Sequence, residues 1–240
     1  MQVSTRATLF EVTTGTGRGA DSYVQGSAVS TNFGASGLLT TRSNAGNASN
    51  NYKVYLRFDL SSLAADLSQA TSATLKFSTI SANTGIGFSF FAVPDGLPGD
   101  SATGWTESGI TYTNAPGTPA SITNLGFITA PGADENGNYV VALGSLTGLT
   151  TGGGAQHSFS TSSLLDLVKS DTNGLLTIAL NRNDTKGIIH IASDENTSGF
   201  LVPTLVIDTP SLAAVPEPGT GLIGLGLLGL GIFRRKRARA

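Results

Sequence analysis

Between Lys53 and Leu60 the chain alternates without a break. Val54, Leu56, Phe58 and Leu60 are apolar, and Lys53, Tyr55, Arg57 and Asp59 fall between them. A period of two puts successive side chains on opposite faces of a strand and does not fit one stripe of a helix. The apolar set is expected to face a core and the other set to face outward. Ala73–Phe77 repeats the pattern, and Ile86–Val93, Tyr139–Leu143, His157–Ser160, Leu175–Leu180, Ile188–Ala192 and Thr204–Ile207 are further strand windows. Turn-forming residues separate them, as in Pro94-Asp95-Gly96 and Asn173-Gly174. Only Ser162–Ser170 reads as a helix, with a serine start, Leu164, Leu167 and Val168 on one face and Lys169 near the end. Many strands with one short helix predict an all-β fold, an antiparallel β-sandwich. No fixed-period repeat is present, which disfavours a solenoid.

Composition agrees. Charged residues make up 12% of the 240 residues, and 31 are glycine, a mix suited to strands and turns rather than to a helical bundle. The chain has no cysteine, so disulfides, thiolate metal sites and a cysteine nucleophile are excluded. The net charge of −2 hides an asymmetry, because five basic residues, Arg234, Arg235, Lys236, Arg237 and Arg239, close the chain. Residues 1–215 carry nine basic and fifteen acidic side chains, a net −6. A body that acidic is a poor partner for nucleic acid.

The C-terminal end has its own logic. Gly219–Phe233 is uncharged, rich in glycine and leucine, and followed at once by the basic cluster. An apolar run closed by basic residues is a stop-transfer pattern with the basic end cytoplasmic. As a helix, a run of that length reaches about 22 Å, short of the ~30 Å hydrocarbon core, so a processed signal is expected rather than a lasting anchor. Just before it, Val215-Pro216-Glu217-Pro218 forbids regular helix and reads as an accessible extended linker. The order of Pro-Glu-Pro, apolar segment and terminal Arg234, Arg235, Lys236, Arg237 resembles a PEP-CTERM sorting signal. That resemblance implies export in a Gram-negative bacterium that makes extracellular polysaccharide, with an exosortase-type membrane enzyme as processing partner. The first residues contain no apolar core of about 7–15 residues of the kind a secretory leader has. The expectation is therefore a truncated or misassigned start.

The ordered blocks of the body resemble a second family. They are Ala20-Asp21-Ser22-Tyr23-Val24, Asn32-Phe33-Gly34, Tyr55–Leu63, Ala73-Thr74-Leu75, Trp105–Pro116, Ser193-Asp194-Glu195 and Pro203–Val206. Together, over about residues 19–208, they look like a DNRLRE module, the disaggregatase-related type also classed as carbohydrate-binding module family 96. The resemblance implies a jelly-roll type of β-sandwich and polysaccharide binding, with acidic polysaccharides such as alginate among the ligands. The shared blocks look mostly structural and transfer no ligand pocket.

Motifs for catalysis are missing. His157 and His190 both fall in strand windows, where a lone histidine is more often packed than catalytic. No Gly-x-Ser-x-Gly, His-Glu-x-x-His or phosphate loop occurs. Asp134-Glu135 and Asp194-Glu195 are acid pairs, but a glycosidase needs two carboxylates facing each other across a cleft. The expectation is no enzyme. Lys53, Tyr55 and Arg57, on the non-core face of one strand, are the expected sugar contacts: a ring to stack on a sugar face and cations to pair with uronates. Arg182 and Lys186 flank a turn and add charge. Trp105 reads as a packing residue sealing the sandwich edge. Asp21, with Asp194 and Glu195, offers oxygen ligands for a structural Ca2+ joining the two ends of the module. Two Asn-x-Ser sequons, at Asn47 and Asn196, are discounted because the tail points to a bacterium.

The expected layout is an N-terminal extension over 1–18, a β-sandwich over 19–209, a proline-rich linker over 210–218, and an apolar helical membrane and sorting tail over 219–240. The expected function is an exported, non-catalytic carbohydrate-binding protein. It is associated with the membrane through the tail and then released to the cell surface or outside, in contact with polysaccharide. A structural surface or biofilm-matrix protein, and a polysaccharide-degrading enzyme, are the rival readings.

Overall fold

A computed structural model describes residues 7–44, 47–101, 103–119, 126, 127, 129, 137–185 and 187–210. Residues Ala7–Pro210 form one compact unit. Eleven strands are present among the described residues, the last eight of them in the alternating windows: β1 (Ala7–Thr13), β2 (Ala20–Gln25), β3 (Leu38–Thr41), β4 (Tyr52–Asp59), β5 (Ser72–Thr79), β6 (Asn83–Ala92), β7 (Val141–Thr151), β8 (Ala155–Phe159), β9 (Leu175–Arg182), β10 (Ile189–Ala192) and β11 (Thr204–Pro210). Helix α1 spans Ser162–Ser170, as expected, and its first turn is capped by Thr161, whose hydroxyl accepts from Leu164 N at 3.1 Å. Leu164 and Val168 are its buried face.

All strand pairings are antiparallel and fall into two sheets. The first runs β1-β11-β5-β10-β3, with β8 also paired to β5, and the second runs β2-β4-β9-β6-β7. The expected sandwich is therefore present. β1 lies within the stretch expected to be an extension; it is built into the first sheet in register with β11, from Ala7↔Pro210 to Thr13↔Thr204. The predicted apolar tail helix, with Val215, Pro216, Glu217, Pro218, Arg234, Arg235, Lys236 and Arg237, lies outside the described residues. Among the described residues no helix is long and apolar enough to cross a membrane.

The inner faces meet in an aromatic core. Phe90 stacks on Phe159 across the sheets with centroids 4.0 Å apart, and Phe77 meets Phe88 edge-on at 5.7 Å. Gly144 of β7 pairs with Phe90, and a Cβ there would lie 3.4 Å from the Phe159 ring in a backbone region that favours glycine (φ 137°). The β2, β4 and β9 part of the second sheet is buried on its other face too. The 93–140 segment, which joins β6 to β7, lays Trp105, Ile110, Tyr112, Ala115, Phe127 and Val140 against Ala20, Val24, Tyr55 and Ala179. That second core explains why seven of the eight residues of β4 are buried.

At one end of the sandwich Asp95, Asp100 and Asp171 surround a cavity of about 10 Å³, with Val93, Leu167, Leu175 and Leu176 completing its wall. That volume holds one water-sized species. Asp100 accepts from Asn173 Nδ2 at 2.9 Å and Thr177 N at 3.3 Å, and Asp95 accepts from Thr172 N at 2.9 Å. Burial, reinforced by the neighbouring charges of Asp95 and Asp171, pushes the Asp100 carboxyl up to about 7. Burial and Asp95 likewise push Asp171 up to about 6.

Two outcomes follow. Phe90→Ala removes a ring stacked in the centre of the core and is expected to cost about 3–5 kcal/mol in urea unfolding; a loss under about 1 kcal/mol would contradict the packing described. Asp100 favours protonation in the folded state. Its stabilising contribution is therefore complete below the unfolded carboxyl value and is lost as pH rises to about 7. Replacing it, Asp100→Asn, should shrink the fall in melting temperature between pH 4 and pH 7, and an unchanged slope would contradict that assignment.

Candidate functional site

β2 is an outer strand of the second sheet, and the turn that follows β10 runs beside it. Together they bring Asp21, Asp194 and Glu195 to one place, with one carboxylate oxygen of each within 4.8 Å of the others. Asp21 is fully buried; its Oδ2 accepts from Thr14 Oγ1 at 2.6 Å and from Asp194 N at 3.0 Å. One further oxygen of each, Asp21 Oδ1, Asp194 Oδ1 and Glu195 Oε2, is buried with no hydrogen-bond partner. Such orphaned acceptors are costly unless a proton or a cation meets them. Neither of the ion pairs among the described residues, Arg18–Asp59 and Arg182–Asp184, reaches them.

Burial raises all three carboxyls. Asp21 is pushed up to about 8, with the nearby charge of Asp194 adding to the burial. Asp194 rises to about 6, through burial and then Glu195, and Glu195 rises through burial and its contact with Glu107. Glu107, on the covering segment, thus stands at the rim of the cluster; the residue pattern did not single it out. Gly15 closes the opposite side, where a Cβ would lie 3.0 Å from Asp194 Oδ2. A set of converging carboxylate oxygens with no sulfur or nitrogen suits a hard cation such as Ca2+. The expected trio is therefore together in space, although Asp21 and Asp194 are 173 positions apart.

The expected sugar face is a different matter. Lys53, Tyr55 and Arg57 do share one side of β4, but that side lies under the covering segment. Lys53 is fully buried, 4.6 Å over the Phe127 ring and 5.5 Å over Tyr112, and its Nζ donates to the Gly126 carbonyl. Burial pulls its ammonium down to about 7. Tyr55 donates its hydroxyl to the Pro116 carbonyl at 2.8 Å. Arg57 donates Nε to Arg18 O at 2.9 Å and Nη1 to Trp105 O at 2.7 Å, with its guanidinium 4.7 Å over the indole. These side chains fasten the segment to the sheet, so they present no sugar-facing surface. An alternating pattern reports a second face; it does not report what covers it.

Arg182 is corrected in the same way. Its side chain is buried over Phe88 and bonded to Asp184 and to the Gly187 carbonyl, so it is not a free charge at the turn. Lys186, its expected companion, and the acid pair Asp134-Glu135 lie outside the described residues. Trp105 is a packing residue, as expected, on the sheet's outer face rather than at its edge; its Nε1 donates to the Thr177 hydroxyl at 3.4 Å. His157 bonds the Thr79 hydroxyl and His190 the Thr40 hydroxyl, both in a half-buried setting that lowers their basicity.

One half-buried aromatic pair escaped the pattern reading. Tyr23, two residues beyond Asp21 on the same face of β2, is half-buried and stacks on Phe33 with centroids 4.4 Å apart. Phe33 follows Asn32, whose Nδ2 donates to Glu107 O at 2.6 Å and Ile110 O at 2.8 Å. The signal that could have found this pair was an aromatic in a polar, glycine-flanked loop.

Comparison with known proteins points the same way. The description of carbohydrate-binding module family 96 fits residues 13–133, from the end of β1 through the covering segment. A PEP-CTERM protein-sorting motif fits residues 214–237. No curated protein matches the chain. With more than half of its length matched, and with the matched strands built into an antiparallel sandwich, the chain belongs to carbohydrate-binding module family 96.

Proposed function

We propose that this protein is an exported, non-catalytic module that binds polysaccharide, with acidic polysaccharide as the preferred class, and that a Ca2+ ion held by Asp21, Asp194 and Glu195 stabilises it. The observation that carries the reading is membership of a carbohydrate-binding family over residues 13–133. The sorting motif at 214–237 supports export and handling of the tail by an exosortase-type enzyme, with transient membrane association through the apolar segment and delivery to the cell surface or exopolysaccharide.

Binding without catalysis is favoured by the arrangement of acids. The Asp21, Asp194 and Glu195 carboxylates converge with oxygens within 4.8 Å, whereas a glycosidase pair stands about 5–9.5 Å apart with the sugar between. A cation in the cluster supplies charge for its orphaned oxygens and ties β2 to the turn after β10. Its role on this reading is structural, and the sugar is recognised elsewhere on the surface.

Retention on immobilised polysaccharides tests the function. The full chain should be retained on a polyuronate and generate no new reducing ends. Absence of retention on every acidic and neutral glycan would overturn the reading in favour of a matrix protein, and new reducing ends would overturn it in favour of an enzyme. For the metal, Ca2+ at about a hundred times its Kd adds about 2.7 kcal/mol, which raises the melting temperature of a domain this size by roughly 5–10 °C over an EDTA-treated sample. Asp21→Asn should abolish that rise. Identical melting in Ca2+ and EDTA would remove the metal from the proposal.

A further inference from the structure

The carbohydrate reading needs a surface, and the covered face of β4 cannot supply one. Among the described residues, the basic side chains sort quickly. Arg18 and Arg182 are ion-paired, and Lys53 and Arg57 are buried. Arg42, Lys76 and Lys169 remain, none of them in an ion pair. Lys169 sits in the last turn of α1. Lys76 lies on the first sheet in register with Thr204 and Ser158, a row without an aromatic ring. Arg42 differs, because it sits beside rings.

Arg42 follows β3 and forms an antiparallel bridge with Tyr52, through Arg42 N→Tyr52 O at 3.3 Å and Tyr52 N→Arg42 O at 3.0 Å. Bridge partners place their side chains on the same side of the ladder. Tyr52 is in turn in register with Gln25 of β2, and its ring lies 6.4 Å from that of Tyr23. One face thus carries Arg42, Tyr52 and Gln25 in a row across the chain segments, with Tyr52 in the middle, and Tyr23 two residues along β2 with Phe33 stacked on it. Arg42, Gln25, Tyr23 and Phe33 are all partly exposed.

The platform is rigid. Besides the two bonds from Asn32, its Oδ1 accepts from Gly34 N at 3.1 Å, and Gly34 lies so close to the covering segment that a Cβ would fall 2.1 Å from Glu107 O. A preorganised aromatic surface loses little freedom on binding. A ring face suits the apolar face of a sugar, and an unpaired guanidinium suits a carboxylate, which it grips in bidentate fashion. The net charge of −6 over residues 1–215 repels a polyanion elsewhere, so local positive charge has to select the contact.

Resting on the carbohydrate-binding reading, we infer that this face, where β2 meets the start of β4, is the sugar subsite, with Phe33, backed by Tyr23, stacking on a uronate ring and Arg42 pairing with its carboxylate. Gln25 offers an amide to the sugar hydroxyls from the same face. The subsite begins two residues from Asp21, so the carboxylate cluster buttresses the strand that carries it.

Titration calorimetry with polygalacturonate and with a neutral glucan, on the wild-type chain and three variants, tests this. Arg42→Gln should weaken polygalacturonate binding at least tenfold and leave any neutral-glucan binding unchanged. Phe33→Ala should weaken binding of whichever polymer the wild type holds, and Lys76→Gln should change nothing. Raising the salt concentration should weaken the wild type and leave Arg42→Gln nearly unaffected. If Arg42→Gln and Phe33→Ala, folded by their melting curves, bind as tightly as wild type, the subsite is wrong while the carbohydrate reading stands. If Lys76→Gln alone abolishes binding, the subsite is likewise wrong and lies on the first sheet. A wild-type chain that binds no polysaccharide overturns the carbohydrate reading and this inference with it.

Discussion

Arg57 holds the molecule's unusual layer in place. Its guanidinium lies over the Trp105 ring and donates to the carbonyls of Arg18 and Trp105, so one buried cation joins β4, the loop before β2 and the covering segment. An arginine buried without a carboxylate is tolerable only when oxygens and a π face replace its water. Tyr55, bonded to Pro116 O and edge-on to Trp105 and Phe127, does the same at a second point, and Lys53 does it at a third. The outcome is a sheet with β2, β4 and β9 covered on both faces. It follows that the segment most readily mistaken for a loop is part of the core.

That layer decides where function can sit. It removes the outer face of β4 from solvent and leaves the outer strand β2 as a seam between the covering segment, the second sheet and the turn after β10. At one end of the seam three carboxylates converge with buried oxygens lacking partners; at the other a stacked ring pair reaches the surface, with Arg42 beyond it across Tyr52 of β4. The two features have different physics. The carboxylate cluster gathers buried acceptors that only a proton or a cation can compensate, whereas the ring pair is a rigid, half-exposed surface with little left to lose on binding. Asn32 and Glu107 couple them through the same loop.

Much of the architecture was legible in the chain. The strands from β4 to β6 and from β9 to β11 were visible from alternation, and α1 from its cap and one apolar face. The acidic trio was named from residue type and position near the two ends of the module. Three things were not legible. β1 was read as an extension, because Leu9 and Phe10 break its alternation and its partner β11 is almost two hundred residues away. Lys53, Tyr55 and Arg57 were read as a sugar face, because polar residues on a strand's second face look the same whether water or a folded segment lies over them. Arg182 was read as a free charge because its partner Asp184 looked like an ordinary turn acid.

The sequence alone determined most of the strand content, the one helix, the acidic body and the basic-capped tail. These depend on local periodicity, hydropathy and charge counts, which need no knowledge of neighbours. Only the tertiary structure decided which polar face is solvent and which carboxylates meet. The first depends on a covering segment that lies far from β4 in the chain. The second depends on bringing Asp21 and Asp194, 173 positions apart, within hydrogen-bonding distance. Burial and convergence are properties of chain segments distant in sequence, and no local pattern records them.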